Sequence, residues 1–254
     1  MRWFARTEQL LGPEQMARLA GATVAVCGLG GVGSFAVEAL ARAGVGGLRL
    51  VDYGTVDRSN INRQLFALHS TEGRAKAELA AARILDINPD CRVDARQVFI
   101  NPDTVAGILE PRPDLVLDAI DSLSSKVLLL RACVIEGVPV IASMGAGGRL
   151  DGGQIQVGDL AETRICPLAR LVRQRLHRLG IQSGIRCVYS VEPARNTLPH
   201  DPRDAGDHFG SGRRRTPIGT ISYMPALFGL RVAQEVIAQL LAAPVSPLGP
   251  SETS

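Results

Sequence analysis

The sequence predicts an α/β protein built on a doubly wound, mostly parallel sheet, with a smaller α+β extension on its C-terminal side. Three observations predict it. Short β-branched apolar runs alternate with helix-like segments from residue 23 to about residue 143, as when crossover helices join parallel strands. The stretch from Asp114 to Ile120, DLVLDAI, is a continuous apolar run that ends in acids, the signature of a strand buried on both faces. The segment from Thr23 to Asp52 runs strand, G-x-G-x-x-G turn, helix, strand and terminal acid, the order of a Rossmann-like nucleotide-binding unit.

Residues 2–20 read as helix in two pieces, with Pro13 opening the second and Leu10, Leu11, Met16 and Leu19 as the apolar face. Arg6 stands in the polar opening RTEQ, where a solvated arginine is the plain reading. The strand over residues 23–27 leads into Gly28, Gly30 and Gly33, with an extra Gly31. Glycines let the backbone turn tightly and approach a phosphate chain, and the following helix presents free N–H groups and a partial positive charge. Asp52, ending the second strand, is placed to accept hydrogen bonds from ribose hydroxyls. The motif points to a nucleotide without separating NAD, FAD and ATP.

Residues 54–71 are too polar for a simple connection. Asp57, Asn60, Asn62, Arg63 and Gln64 fall within eight residues. Turn chemistry accounts for Asn60 or Asn62. It does not account for Arg63 and Gln64 ahead of apolar Leu65 and Phe66. Thr71 reads as the N-cap of a helix over residues 72–88 whose apolar positions are Ala75, Leu79, Ala82 and Leu85. Lys76 then lies near the positive end of that helix, a poor place for a cation unless an anion is nearby.

Residues 92–99 form the third expected strand, 103–109 a short helix, 114–120 the fourth strand and 138–143 the fifth, before a flexible glycine-rich stretch at 145–148. Asp118 and Asp121 fall at the carboxyl end of the fourth strand, where ligands collect in open α/β sheets. Each could hold a magnesium ion through carboxylate oxygen or cap the helix over residues 122–137. Beyond Asp151 the pattern changes. A short strand at 154–157 precedes a helix opened by Pro167 and reaching about Leu179. That helix carries Arg170, Arg173, Arg175, His177 and Arg178 around an apolar face of Leu168, Leu171, Val172, Leu176 and Leu179. A strand at 186–191 ends at Glu192. Residues 193–215 read as a mobile loop containing Arg213, Arg214 and Arg215, and 220–241 as a long apolar helix.

Composition bounds the rest. The 254 residues are 46% hydrophobic with a net charge of +3, enough for a sizeable core and too little charge for a uniformly basic binder. The five cysteines, Cys27, Cys91, Cys133, Cys166 and Cys187, are scattered and form no C-x-x-C. That argues for a reducing compartment, hence the cytoplasm, and against a cysteine-built zinc site. No signal-peptide pattern opens the chain, and no stretch is long and apolar enough for a membrane span.

Gly28 to Gly33, Asp52, the stretch SNINRQ over residues 59–64, GRAK over 73–76 and DAID over 118–121 together resemble the adenylating domain shared by ubiquitin-activating enzymes and the bacterial activators of sulfur-carrier proteins. The resemblance runs from Arg6 to about Ser143. It implies ATP with magnesium, attack of a carboxylate on the α-phosphate and an acyl-adenylate product. It assigns nucleotide binding to Gly28, Gly30, Gly31, Gly33, Asp52, Asn60, Arg63, Gln64 and Lys76, and the metal to Asp121. Catalysis falls to Arg63, Lys76, Asp121 and Arg6, the last reaching across a homodimer into the partner's site. Cationic groups of this kind suit charge that develops on phosphorus and on leaving pyrophosphate.

Within that superfamily the zinc-binding cysteine pairs of the sulfur-carrier activators are absent. The opening RTEQLLG, DLAET from Asp159, Pro167-Leu168 with the basic helix, and CVYS over residues 187–190 with Glu192 instead resemble the bacterial tRNA threonylcarbamoyladenosine dehydratases. That branch implies ATP-dependent cyclisation of N6-threonylcarbamoyladenosine in tRNA with net loss of water, the alternative being activation of the C-terminus of a ubiquitin-like sulfur carrier. It implies a tRNA partner and a homodimer, and it admits a cysteine desulfurase or sulfur-acceptor system. Arg-rich segments near the site, the 167–179 helix and Arg213–Arg215, suit tRNA phosphates. Ring closure within one nucleoside asks mainly for positioning, so no catalytic cysteine is required and Cys187 is expected to be buried. The resulting organisation is an ATP-binding adenylation domain over residues 1–150 with an N-terminal helical arm. Residues 151–244 form an extension of the same compact domain for substrate binding and dimerisation, and 245–254 a disordered tail.

Overall fold

The computed structural model describes residues 3–196 and 218–242. The expected Arg213–Arg215 run and the C-terminal tail lie outside the described residues. Helices α1 (Ala5–Leu11) and α2 (Pro13–Gly21) precede strand β1 (Thr23–Cys27), helix α3 (Gly33–Ala43) and strand β2 (Gly47–Val51). Then come α4 (Lys76–Ile87), β3 (Arg92–Arg96), α5 (Val105–Ile108), β4 (Leu115–Asp118), α6 (Leu123–Ile135) and β5 (Val140–Ser143). The second half adds β6 (Ile155–Asp159), α7 (Pro167–Arg178), β7 (Arg186–Ser190) and α8 (Tyr223–Ala242).

The seven strands make one sheet in the order β3-β2-β1-β4-β5-β7-β6, parallel throughout except for β6, which pairs antiparallel with β7. β2 and β3 lie to one side of β1 and β4 to the other, so the winding reverses between β1 and β4. Such a reversal opens a crevice at the carboxyl ends of the two strands. Alternate strand residues feed two apolar layers. Val24, Val26, Leu48, Leu50 and Leu117 pack with α3, α4 and α8 on one face. Ala25, Cys27, Val116, Ala142 and Cys187 pack with α5, α6 and α7 on the other. A side chain on Gly229 of α8 would collide with the Val32 carbonyl, so a small residue there lets α8 lie hard against the start of α3.

Several local expectations shift. Helix α4 starts at Lys76, not after Thr71, because Ala75 is extended and bridged to Thr55. The Thr71 hydroxyl instead bonds the Phe66 carbonyl at 2.7 Å and accepts from the Leu68 N–H. The buried face of α4 is Ala77, Leu79, Ala80 and Ile84, while Ala82 and Leu85 are exposed. Leu10 is 83% exposed and takes no part in the core. On α7 the buried positions are Ala169, Val172 and Leu176, with Leu171 and Leu179 outside. The glycine-rich stretch after β5 is pinned rather than loose: Gly148 donates to the Gly219 carbonyl at 2.7 Å and accepts from the Arg195 N–H at 2.9 Å.

Candidate functional site

The crevice between β1 and β4 is walled by two tight turns. Gly28 has φ 91° and donates to the Val51 carbonyl. A Cβ there would stand 2.8 Å from the Ala119 carbonyl, and one on Gly33 would land on the Gly28 carbonyl. Both positions therefore demand glycine. Gly30 faces open space: a Cβ there would come no closer to a neighbour than 3.8 Å, to Gln64 Nε2. The N–H groups of Gly30 and Gly31 meet no acceptor among the described residues, and α3 begins immediately after them. This is a cradle for an anionic phosphate chain.

Asp52 ties the cradle to the end of β2. Its two carboxylate oxygens accept from Leu29 N–H at 2.6 Å and Gly54 N–H at 2.7 Å. Each oxygen keeps a second lone pair, so the structural role and the expected ribose contact are compatible. The Lys76 ammonium comes to the same turn: a Cβ on Gly54 would lie 3.2 Å from Asp52 Oδ1 and 3.4 Å from Lys76 Nζ. The late start of α4 brings this about, since the Lys76 N–H bonds the Gly54 carbonyl.

Arg63 is half-buried. Its Nη1 donates to the Ser59 carbonyl at 2.8 Å and to Asn62 Oδ1 at 2.9 Å. Burial pushes its guanidinium below the usual range, and the opposing charge of Asp121 pushes it back up. Arg63 and Asp121 thus lie within electrostatic reach of one another. Asp121 is exposed and does not cap α6, whose N-cap is Ser122 without a side-chain bond. Asn60 turns inward: its Oδ1 accepts from the Asp57 N–H, and its Nδ2 reaches Ser59. Turn chemistry therefore accounts for most of Asn60.

Asp118 is wholly buried and bound to Lys126, Oδ2 to Nζ 2.6 Å, both side chains 0% exposed. It also accepts from the Ile120 N–H at 3.0 Å. The pair holds the turn that leads to Asp121, and of the two acids only Asp121 is exposed to a metal. Lys126 is absent from the expected site; its signal in the sequence is a lone lysine in the apolar run KVLLL, eight residues after a strand-ending Asp.

One expected residue lies apart. Arg6 is exposed on α1. Phe4, at the head of that helix, packs near Gly44 at the carboxyl end of α3, about 16 Å along the helix from the glycine loop. Arg6 does not enter the crevice of its own chain. Cys187 is fully buried in β7, and burial raises its thiol to about 12, away from the thiolate form a nucleophile needs. Arg173 is drawn inward to the Thr163 carbonyl and hydroxyl, while Arg170, Arg175 and Arg178 remain exposed on α7.

Among known families, the ThiF family model matches residues 4–251. The chain belongs to the ThiF family. It is 38% identical over 239 residues to the tRNA threonylcarbamoyladenosine dehydratase of Bacillus subtilis, covering 94% of both chains. Its structure matches the Escherichia coli dehydratase TcdA in complex with AMP, with a TM-score of 0.84, 37% identity and 94% of both chains covered. It matches the ATP complex of the same enzyme with a TM-score of 0.83 and 36% identity over 94% of this chain and 93% of that one. Within the ThiF family the chain therefore stands among the tRNA threonylcarbamoyladenosine dehydratases. No helix among the described residues is long and apolar enough to cross a membrane.

Proposed function

We propose that the protein uses ATP to dehydrate N6-threonylcarbamoyladenosine in tRNA. One observation carries the reading: a glycine cradle, two cations and an exposed carboxylate gather where the winding of the sheet reverses. Hydride transfer to a nicotinamide would need none of Arg63, Lys76 or Asp121. The relatives' substrate and the AMP and ATP complexes of TcdA supply the identity of the reactants.

The glycine loop and the start of α3 receive the phosphates, and Asp52 receives the ribose. The threonyl carboxylate attacks the α-phosphorus, and pyrophosphate leaves. Arg63 and Lys76 neutralise the negative charge that grows on the phosphorus oxygens and on the leaving group. One such preorganised donor is worth about 3–4 kcal/mol of barrier. Asp121 fits a magnesium ion as a single hard oxygen ligand; magnesium keeps several waters and shares substrate phosphates. The metal would add charge neutralisation at the leaving group. A nucleophile of the same nucleoside then attacks the activated carbonyl, closing a ring and expelling AMP, which balances as loss of one water with ATP split to AMP and pyrophosphate. Held in position, that step needs little further catalysis.

Arg6, remote from its own crevice, serves the crevice of a second copy in a homodimer; light scattering that finds a monomer at micromolar concentration would rule this out. The exposed arginines of α7 give a tRNA backbone a cationic path. The deciding experiment is mass spectrometry of nucleosides from tRNA incubated with the protein, ATP and magnesium. A product lighter by one water, formed only with ATP, is expected. Unchanged tRNA, with AMP appearing only when a sulfur carrier is added, would move the protein to the carrier-activating branch.

A further inference from the structure

The loop after β5 carries a cation, Arg149, that forms no salt bridge among the described residues. Arg149 is 3% exposed. Its Nη1 donates to the carbonyls of Gly145 and Gly147, the latter at 2.9 Å. Its Nε and Nη2 are buried and meet no partner among the described residues. A guanidinium offers five N–H donors. Two carbonyls supply partial charge only, and leaving buried donors unmade is costly. The group calls for an anion.

A second feature stands beside it. A Cβ on Gly145 would lie 3.7 Å from Arg149 Nη1, 3.8 Å from Leu168 Cβ and 3.9 Å from Cys166 Sγ. The Nη1 edge of the guanidinium and the first turn of α7 therefore both border Gly145. Helix α7 is 12 residues long, and its N-cap Cys166 makes no side-chain capping bond. The N–H groups of Leu168 and Ala169 have no acceptor among the described residues. They carry the positive end of the helix dipole. An open groove of about 900 Å³, lined by Gln156, Glu162, Arg164, Ile165, Tyr189 and Val191 among others, runs beside the segment that precedes Cys166.

The loop also reaches toward the crevice. A Cβ on Gly147 would lie 3.1 Å from Thr220 Oγ1. The Thr220 carbonyl accepts from Asn62 Nδ2 at 3.0 Å, and Asn62 in turn accepts from Arg63.

We propose that Arg149 and the first turn of α7 form an oxyanion site that takes an oxyanion of the RNA substrate. The group is a backbone phosphate or the threonyl carboxylate itself. The RNA as source rests on the function proposed above; the site rests on the geometry alone.

The test uses the full chain, Arg149→Met and Leu168→Asp. Inorganic phosphate probes the site without RNA, and Kd is measured for tRNA with and without the threonylcarbamoyl group across a salt series. Phosphate raises the Tm of the wild type and leaves that of Arg149→Met unmoved. Arg149→Met binds modified tRNA at least tenfold more weakly, with the Kd for ATP unchanged. Equal loss on both tRNAs, with a salt slope shallower by about one, assigns a backbone phosphate. Loss on modified tRNA alone assigns the carboxylate. Leu168→Asp supplies its own carboxylate to the site, so it raises Tm and weakens tRNA binding; it decides the matter if Arg149→Met fails to fold. Wild-type affinities in the variants, with no phosphate effect on the wild-type Tm, overturn the site. A wild type that neither binds nor modifies tRNA refutes the proposed function instead, and the phosphate response still judges the site.

Discussion

Replacing Lys126 with Met removes one partner of a dry ion pair at the centre of the fold. Lys126 Nζ and Asp118 Oδ2 are 2.6 Å apart, and neither side chain is exposed. Methionine keeps the apolar stem, so the loss is electrostatic. Breaking a buried pair by deleting one partner costs roughly 3–5 kcal/mol, because the other charge is left without compensation. In a chain of this size each kcal/mol lowers Tm by about 2–4 °C, so a drop of about 6–20 °C is expected. The variant carries a pH signature as well. Burial pushes the Asp118 carboxyl upward, against the Lys126 ammonium and the Ile120 N–H. Without Lys126 the upward push is opposed by less. A carboxyl whose folded pKa lies above its unfolded value near 4 loses stability as pH rises through the folded value. The deficit of Lys126→Met against wild type is therefore largest at pH 8 and shrinks toward pH 5. Asp118→Asn in the same chain removes the stranded charge and recovers part of the loss. Urea unfolding followed by circular dichroism measures all three chains. A cost under about 1 kcal/mol with no pH dependence would refute the reasoning.

Arg63→Ala and Asp121→Ala each lower ATP-dependent turnover about 10²–10³-fold while Tm moves by only a few degrees; near-normal turnover in either contradicts the site. Burial holds Cys187 at about 12, so iodoacetamide at pH 8 leaves it unlabelled in the native protein, and Cys187→Ser retains activity. Asp94 is held below its usual range by Arg96, against some burial, with further help from Arg49. Its stabilising effect is thus present above about pH 4 and is lost as pH falls through its folded value. Asp94→Asn should flatten that part of the acid-denaturation curve, read as Tm from pH 6 to pH 3.

The parts of the fold that are legible in the sequence are those that neighbouring residues decide. The glycine spacing, the β-branched runs and the acids at strand ends are local. They locate the crevice and most of what lines it. Local pattern misleads where it offers two equally good answers. In α4 the set Ala75, Leu79, Ala82, Leu85 and the set Ala77, Ala80, Ile84 both recur at helical spacing. The sheet buries the second set together with Ala75 and Leu79 and leaves Ala82 and Leu85 outside. Thr71 has the chemistry of a cap, yet its hydroxyl serves the turn behind it.

Charges show the boundary most clearly. Arg173 and Arg149 are alike as letters in a sequence, each a basic residue near apolar neighbours. Both are drawn to backbone carbonyls. Arg173 finds Thr163, which sits ten residues away on the turn before α7 and offers both a carbonyl and a hydroxyl. Arg149 finds the carbonyls of its own glycine loop, which can face one edge of the guanidinium and not the other. Side-chain hydroxyls and carboxylates are what complete such a fork within a protein. The glycines after β5 are plain in the sequence; that the guanidinium of Arg149 folds back onto their carbonyls is not. A cation of that kind, fixed by short backbone segments and left with donors to spare, is where a protein meets an anion it does not itself contain.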